Sequence, residues 1–359
     1  MQLSNYRKET SERSDADNWA KHCLISDTKF FFEGIEGCNQ NTQNQTTHLF
    51  ERAHVDIDFD GEKNKQDVLS SIIELETKNA LQRKINFASA FGLSLSYVLY
   101  NDQSGSVFIL EFRNIEDVEI VKSFNSYEGF GQYLAMIKGW KSTKRFREYN
   151  DLPQIDKTLR KYGTPWPTNI DCFCCDRKGQ PIAIIEYQNA KAIGVHKHSN
   201  NDYFLCKQKS ITKTKRGSKI IYHDDIRRWT SQEILRVQSG LPLVVITWSQ
   251  GESHFQLKEV EKITFPDFEM DNPVDRGRIF QYKEDLHRFS SDPTEADFQV
   301  ICNRKSLSFS KENNSVVEVK HLPLLTRKEK TFPHIYWKRK AVVSNSREIL
   351  ASLFLDWFG

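Results

Sequence analysis

Long apolar runs are missing from this 359-residue chain. None approaches the ~18 residues that span a bilayer. The longest, such as Leu243-Val244-Val245-Ile246-Thr247-Trp248, have strand length, so no helical membrane span and no membrane partner is expected. The polar start Met1-Gln2-Leu3-Ser4-Asn5-Tyr6-Arg7 has no apolar leader segment. Two CxxC pairs are also missing, since Cys172 and Cys175 alone have that spacing, and the seven Cys are an odd number. Reduced thiols in a cytoplasmic protein are therefore expected. No internal repeat, Walker loop, GxGxxG or GxSxG occurs, which leaves nucleotide hydrolysis, dinucleotide redox chemistry and esterase chemistry without a motif. What is present is aromatic: 24 Phe, 12 Tyr and 7 Trp supply a core although only 38% of residues are hydrophobic, and wholesale disorder is excluded.

The net charge of +3 conceals a segregation. Residues 138–228 hold 20 Lys/Arg against 9 Asp/Glu, a net of +11, while the remainder holds 31 against 39, a net of −8. A basic middle in an acidic chain is the expected footprint of a polyanion. Two stretches supply it. Lys138–Arg147 interleaves Trp140 and Phe146 with cations, including Lys141, Lys144, Arg145 and Arg147. Lys207–Lys219 carries six cations (Lys207, Lys209, Lys213, Lys215, Arg216, Lys219) and no acid, with hydroxyls suited to phosphate.

The pattern along the chain predicts a mixed α/β protein: a polar N-terminal extension over 1–65, a core domain over 66–250 and a C-terminal lobe or extension over 251–359. Alternation of Val55, Ile57 and Phe59 with Asp56, Asp58 and Asp60 predicts a strand. Apolar spacing predicts one long helix over Val68–Phe91, and helices over 127–138, 152–162 and Asp224–Gln238. Strands are expected at Leu95–Tyr100, Val107–Phe112, Asn169–Asp176, Pro181–Gln188, Leu241–Trp248, His254–Ile263, Ala296–Ile301 and Ser315–Lys320, with a late helix near Ile279–Phe289.

Chemistry concentrates in the hairpin 169–188. Asp171 starts one strand, and Glu186 and Gln188 lie near the end of the returning strand, on one face with Ile182 and Ile184. Two carboxylates converging beside an apolar sheet suit a hard divalent cation. Mg²⁺ takes one or two carboxylates and completes its octahedron with water and phosphate oxygens.

Asp171, a turn, and Ile184-Ile185-Glu186-Tyr187-Gln188 resemble the hairpin of the PD-(D/E)XK nuclease superfamily, the restriction-endonuclease-like fold. The resemblance covers residues 150–250. It implies a Mg²⁺-dependent nuclease (Mn²⁺ substituting) that hydrolyses phosphodiesters, an endonuclease acting on DNA, with Asp171 and Glu186 on the metal. Two departures stand out: no proline precedes Asp171, and Gln188 occupies the usual Lys position, with Lys191 as a reserve. A neutral amide can orient water but adds no positive charge. Active members of the family carry Gln there. The same departure motivates the alternative, a non-catalytic nucleic-acid-binding protein on a degenerate nuclease fold. A further acid from the first helix is Asp156, Glu74 or Glu76, and Leu95–Tyr100 or Val107–Phe112 could serve as the first strand. A homo-oligomer or a partner protein would engage the C-terminal lobe.

Other constellations carry less. Asp102 with Glu111-Phe112-Arg113 repeats the hairpin pattern more weakly. Asp56-x-Asp58-x-Asp60-Gly61 mimics a calcium loop but reads as a strand. Cys172, Cys174 and Cys175 cannot close a zinc site alone and read as buried free thiols. His196 and His198 form one of the pairs expected among ten His, and His223, Asp224 and Asp225 are expected to cap the helix that follows.

Overall fold

The computed structural model describes residues 2–4, 17–56, 65–142, 152–190, 195, 205–214, 217–224, 226–264, 288–290, 300–302, 305–310, 315–318, 334–343 and 346–359. They form a mixed α/β protein with an open 11-stranded mixed sheet and two three-stranded sheets. No described helix is long and apolar enough to cross a membrane. The chain divides into two compact units, residues 1–186 with 237–241 and 351–359, and residues 187–236 with 242–350.

In the first unit the strands run in the order β8 (Pro181–Asn189, entering this unit up to Glu186), β7 (Thr168–Cys175), β2 (Phe31–Gln40), β3 (Thr46–Val55), β4 (Leu95–Tyr100), β5 (Val107–Phe112) and β6 (Val118–Phe124). A short β1 (Leu3–Ser4) adds to the end of β3. Neighbours are antiparallel except β3 and β4. That parallel pair needs a crossover, supplied by α2 (Lys65–Glu76) and α3 (Lys78–Ser89). Helix α1 (Trp19–Asp27) precedes β2, and α4 (Tyr127–Lys138) and α5 (Gln154–Lys161) precede β7. Tyr127, Phe130 and Leu134 of α4 and Ile155 and Leu159 of α5 join Phe50, Val98, Ile109 and Trp166 in one buried cluster.

Several expectations fail here for identifiable reasons. The single helix over Val68–Phe91 is two helices, broken at Thr77, whose φ of 66° is left-handed for a β-branched residue. Such a conformation costs on the order of 1–3 kcal/mol. It is offset in part because the Thr77 hydroxyl accepts the Ala80 N–H and caps α3. Residues 1–65 are no mere extension: β2 and β3 are interior strands of this unit. Of the strand predicted from Val55 onward, Val55 ends β3, and residues 57–64 lie outside the described ones. Beside β7 stands β2, and the two candidates for a first strand, Leu95–Tyr100 and Val107–Phe112, are β4 and β5, farther along the sheet.

The second unit contains the antiparallel order β11 (Leu243–Trp248), β12 (Phe255–Thr264), β17 (His334–Val343). Helix α6 (Ile226–Ser239) follows strand β10 (Gly217–Asp224), which ends with His223 and Asp224, and Asp225, expected with them as a cap, lies outside the described residues. Strand β10 pairs with β9 (Leu205–Thr214) and β13 (Arg288–Ser290). The late helix expected to reach Phe289 meets this strand, and residues 279–287 lie outside the described ones. Strands β14 (Val300–Cys302), β15 (Lys305–Ser310) and β16 (Ser315–Glu318) form a small meander, and the last helix, α7 (Ile349–Phe358), belongs from Ala351 to the first unit. The division between units falls after Glu186, not at residue 250.

Candidate active site

Strands β7 and β8 pair antiparallel with Cys172 opposite Ile185 and Phe173 opposite Ile184. Continued by one residue, this register sets Asp171 opposite Glu186. Directly opposed residues share a face, with Cβ atoms about 5 Å apart. That face is the one beneath the crossover helices, because Phe173, two residues on from Asp171, stacks on Phe87 of α3 with ring centroids 4.1 Å apart. Glu186 is 4% exposed, whereas Asp171 is exposed. The Asn169 amide donates to Asp171 Oδ1 at 2.6 Å. On the far side of β7, a Cβ on Gly34 would come within 3.2 Å of the Asp171 and Ile170 carbonyl oxygens, so glycine lets β2 pass close behind the Asp171 peptide.

Gln188 follows on β8, two residues after Glu186. In the second unit its Oε1 accepts the Thr247 hydroxyl of β11 at 3.4 Å. Lys191, the reserve cation, lies outside the described residues.

The three further acids separate. Asp156 is 2% exposed and forms a bidentate pair with Arg52, at 3.2 and 3.1 Å. Arg52 also lies 4.3 Å over the Trp166 ring. Adjacent strand residues point to opposite faces, so Arg52 and Asp156 occupy the face away from the one Glu51 shares with α3. Glu76, on the α3 side, is 4% exposed. Its Oε2 accepts Lys84 Nζ at 2.8 Å and its Oε1 accepts the Tyr97 hydroxyl at 3.2 Å. Lys84 also pairs with Glu51 at 3.1 Å. Glu74 is exposed on α2.

The Glu51–Lys84–Glu76–Tyr97 network was not anticipated. Its signal was Glu51-Arg52 set between Leu49-Phe50 and Ala53, a charge on each face of an otherwise apolar strand. Burial opposes the charge on Lys84, but Glu51 and Glu76 together outweigh it and hold its pKa above the ordinary value. Burial and the same two carboxylates push Tyr97 well above its ordinary value.

Of the expected nucleic-acid contacts, Lys141 is exposed just beyond α4. Lys138 of the same run is 4% exposed and donates to the Pro165 carbonyl. Lys144, Arg145 and Arg147 lie outside the described residues. The second basic run is the β9–β10 hairpin: Lys207, Lys209 and Lys213 are on β9 and Lys219 on β10. Lys215 and Arg216 lie outside the described residues. Residues 196–200, with His196 and His198, are also outside them. The second, weaker hairpin is a fold element: Asp102 accepts the Tyr127 hydroxyl at 2.7 Å.

Cys172, Cys174 and Cys175 are buried free thiols, and burial pushes Cys175 up to about 12. Among the described residues no group of three or more His, Cys, Asp or Glu could hold a metal ion. Two carboxylates are what the hairpin offers, a set that suits Mg²⁺, which keeps several waters. Comparison of the chain with family models, curated proteins and solved structures finds no match.

Proposed function

We propose that the chain is a Mg²⁺-dependent nuclease on a restriction-endonuclease-like core, hydrolysing phosphodiesters in DNA. The observation that carries this reading is the register that opposes Asp171 and Glu186 on one sheet face, with one carboxylate at the surface and the other in the core. Bound Mg²⁺ would acidify a water and neutralise charge on the phosphate. Asp171 and Glu186 would hold it, with Asn169 fixing the Asp171 carboxylate through its amide hydrogen bond. Attraction to a cation is strongest for Glu186, where the surrounding dielectric is low. Gln188 would hydrogen-bond the attacking water, and Lys141 and the β9–β10 hairpin would hold the backbone of the nucleic acid.

Purified protein incubated with supercoiled plasmid or single-stranded RNA and Mg²⁺ or Mn²⁺ is expected to cut DNA. Glu186→Gln and Asp171→Asn are each expected to abolish cutting. Cutting that survives both substitutions would sink the site.

The second reading, a non-catalytic nucleic-acid-binding protein, is favoured by one contact. The Gln188 carbonyl oxygen already accepts the Thr247 hydroxyl. Retained DNA binding without cutting by any divalent ion would select it.

A further inference from the structure

In the second unit Gln188 ends a row of side-chain amide and hydroxyl groups carried by β8, β11 and β12. Thr247 of β11 and Gln256 of β12 oppose each other in the antiparallel register, and both are 0% exposed. Directly opposed residues share a face, with Cβ atoms about 5 Å apart. The Thr247 hydroxyl donates to Gln188 Oε1 at 3.4 Å. The Gln256 amide donates through Nε2 to the Val195 carbonyl, also at 3.4 Å. Its Oε1 is buried and has no hydrogen-bond partner among the described residues. On the other flank β17 sets Val342 opposite Gln256, an apolar side chain with no donor. Lys258, two residues along β12, holds its ammonium 4.6 Å over the Trp337 ring. Of the two cross-strand neighbours of Gln256, Thr247 is the one with a proton to give.

We infer that Gln256 is a positioning residue for Gln188: its carbonyl oxygen draws off the Thr247 hydroxyl and so frees the Gln188 amide to orient the attacking water. The inference rests on the nuclease reading and names what governs its water-orienting group. A hydroxyl has one proton to give, so Thr247 serves one of the two amides at a time. While it serves Gln188, it holds that side chain to β11. The two amides differ in what they lose without it. Gln188 is half-buried, and its oxygen accepts from water once Thr247 turns away. Gln256 is sealed, and a buried acceptor left unsatisfied carries the full penalty of its lost hydration. Turning the hydroxyl to Gln256 therefore relieves the sealed amide and costs the open one little. The competing explanation is a buried water on Gln256 Oε1, which would leave Thr247 on Gln188.

The test is a double-mutant cycle on plasmid cutting, with wild type, Gln256→Leu, Thr247→Val and the double variant. Gln256→Leu removes the carbonyl, so Thr247 keeps its bond to Gln188. The kcat is expected to fall about three- to fivefold with KM unchanged, a loss on the scale of one neutral hydrogen bond. In the Thr247→Val background Gln256→Leu should leave kcat unchanged, because no hydroxyl remains to hold Gln188. Loss of the Val195 contact is common to both backgrounds and cancels from the cycle. Circular dichroism checks each fold, and Gln256→Met replaces the leucine variant if that one does not fold. Three results overturn the inference: a Gln256→Leu rate equal to wild type, an equal fall in the Thr247→Val background, or failure of both Gln256 variants to fold. The first assigns the oxygen to a water, and the other two make Gln256 a structural residue. Cutting by wild type leaves the nuclease reading standing in each case. A wild-type protein that does not cut with Mg²⁺ or Mn²⁺ removes both.

Discussion

Two pairs of carboxylates lie on the crossover-helix face of the first unit, and they are built differently. Glu51 and Glu76 are sealed, 1% and 4% exposed, with Lys84 placed between them and the Tyr97 hydroxyl and the Glu36 N–H adding donors. Asp171 and Glu186 are half open: the first is at the surface beside a neutral amide, the second in the core. A sealed pair with a covalently supplied cation can serve only the fold, because no substrate reaches it. A pair with one member at the surface can take a cation from solution, and the proposed chemistry depends on that contrast.

The largest effect should come from the sealed pair. Lys84→Met leaves two buried carboxylates without their shared ammonium, and breaking a buried pair costs about 3–5 kcal/mol. Urea unfolding should show that loss. A change below about 1 kcal/mol would mean that solvent reaches the network, and the contrast between the pairs would fail. Asp171→Asn should behave inversely. Stability should move by about 0.5 kcal/mol or less, as for exposed sites, while plasmid cutting falls by about a hundredfold or more, the several kcal/mol that a bound metal contributes. Mn²⁺ titration by calorimetry should lose its heat in the same variant.

The open pair was legible in the sequence, the sealed network was not, and the failures have a common form. Asp171, Glu186 and the turn between them were readable because a hairpin is local: alternation and turn residues fix which side chains face each other. Strand β2 was invisible as the neighbour of β7, since Phe31-Phe32-Glu33-Gly34-Ile35 lacks alternation and its pairing register shifts beyond Glu33 and again beyond Ile35. Glu76 was picked out on its helix, yet its cation comes from α3 across the Thr77 break, which no helical periodicity predicts. Asp156 was picked out with equal reason, and only the placement of Arg52 sends it to the opposite face. Pairing partners far apart in sequence decide such cases.

The sealed network should also show itself at alkaline pH. Lys84 and Tyr97 are both held protonated in the folded state above their ordinary values. Above about pH 10 the unfolded chain releases these protons while the folded chain keeps them. Stability from these groups is therefore complete below about pH 10 and falls as pH rises, by ~1.4 kcal/mol per pH unit for each proton. Tyr127 and Tyr133, raised mainly by burial, act with the same sign, so the readout is a difference. Tyr97→Phe should remove about one proton from the slope of unfolding free energy between pH 10 and 11.5. An unchanged slope would place Tyr97 in contact with solvent, and its network with it.

The smallest effect concerns Gln188. Its bond to Thr247 is long, 3.4 Å, and a neutral hydrogen bond contributes about 1 kcal/mol or less at that quality. Thr247→Val and Gln188→Ala should therefore each cost about 1 kcal/mol at most. If Gln188 also holds the attacking water, Gln188→Ala should slow cutting by up to about tenfold, in the modest range for one neutral hydrogen-bonding group, while Thr247→Val leaves it nearly unchanged. Equal rates in the two variants would confine Gln188 to the sheet and leave Asp171 and Glu186 as the whole of the open pair. A larger loss for Gln188→Ala than for Asp171→Asn would invert the assignment, because a water-orienting amide has nothing to orient once the metal-holding carboxylate is gone.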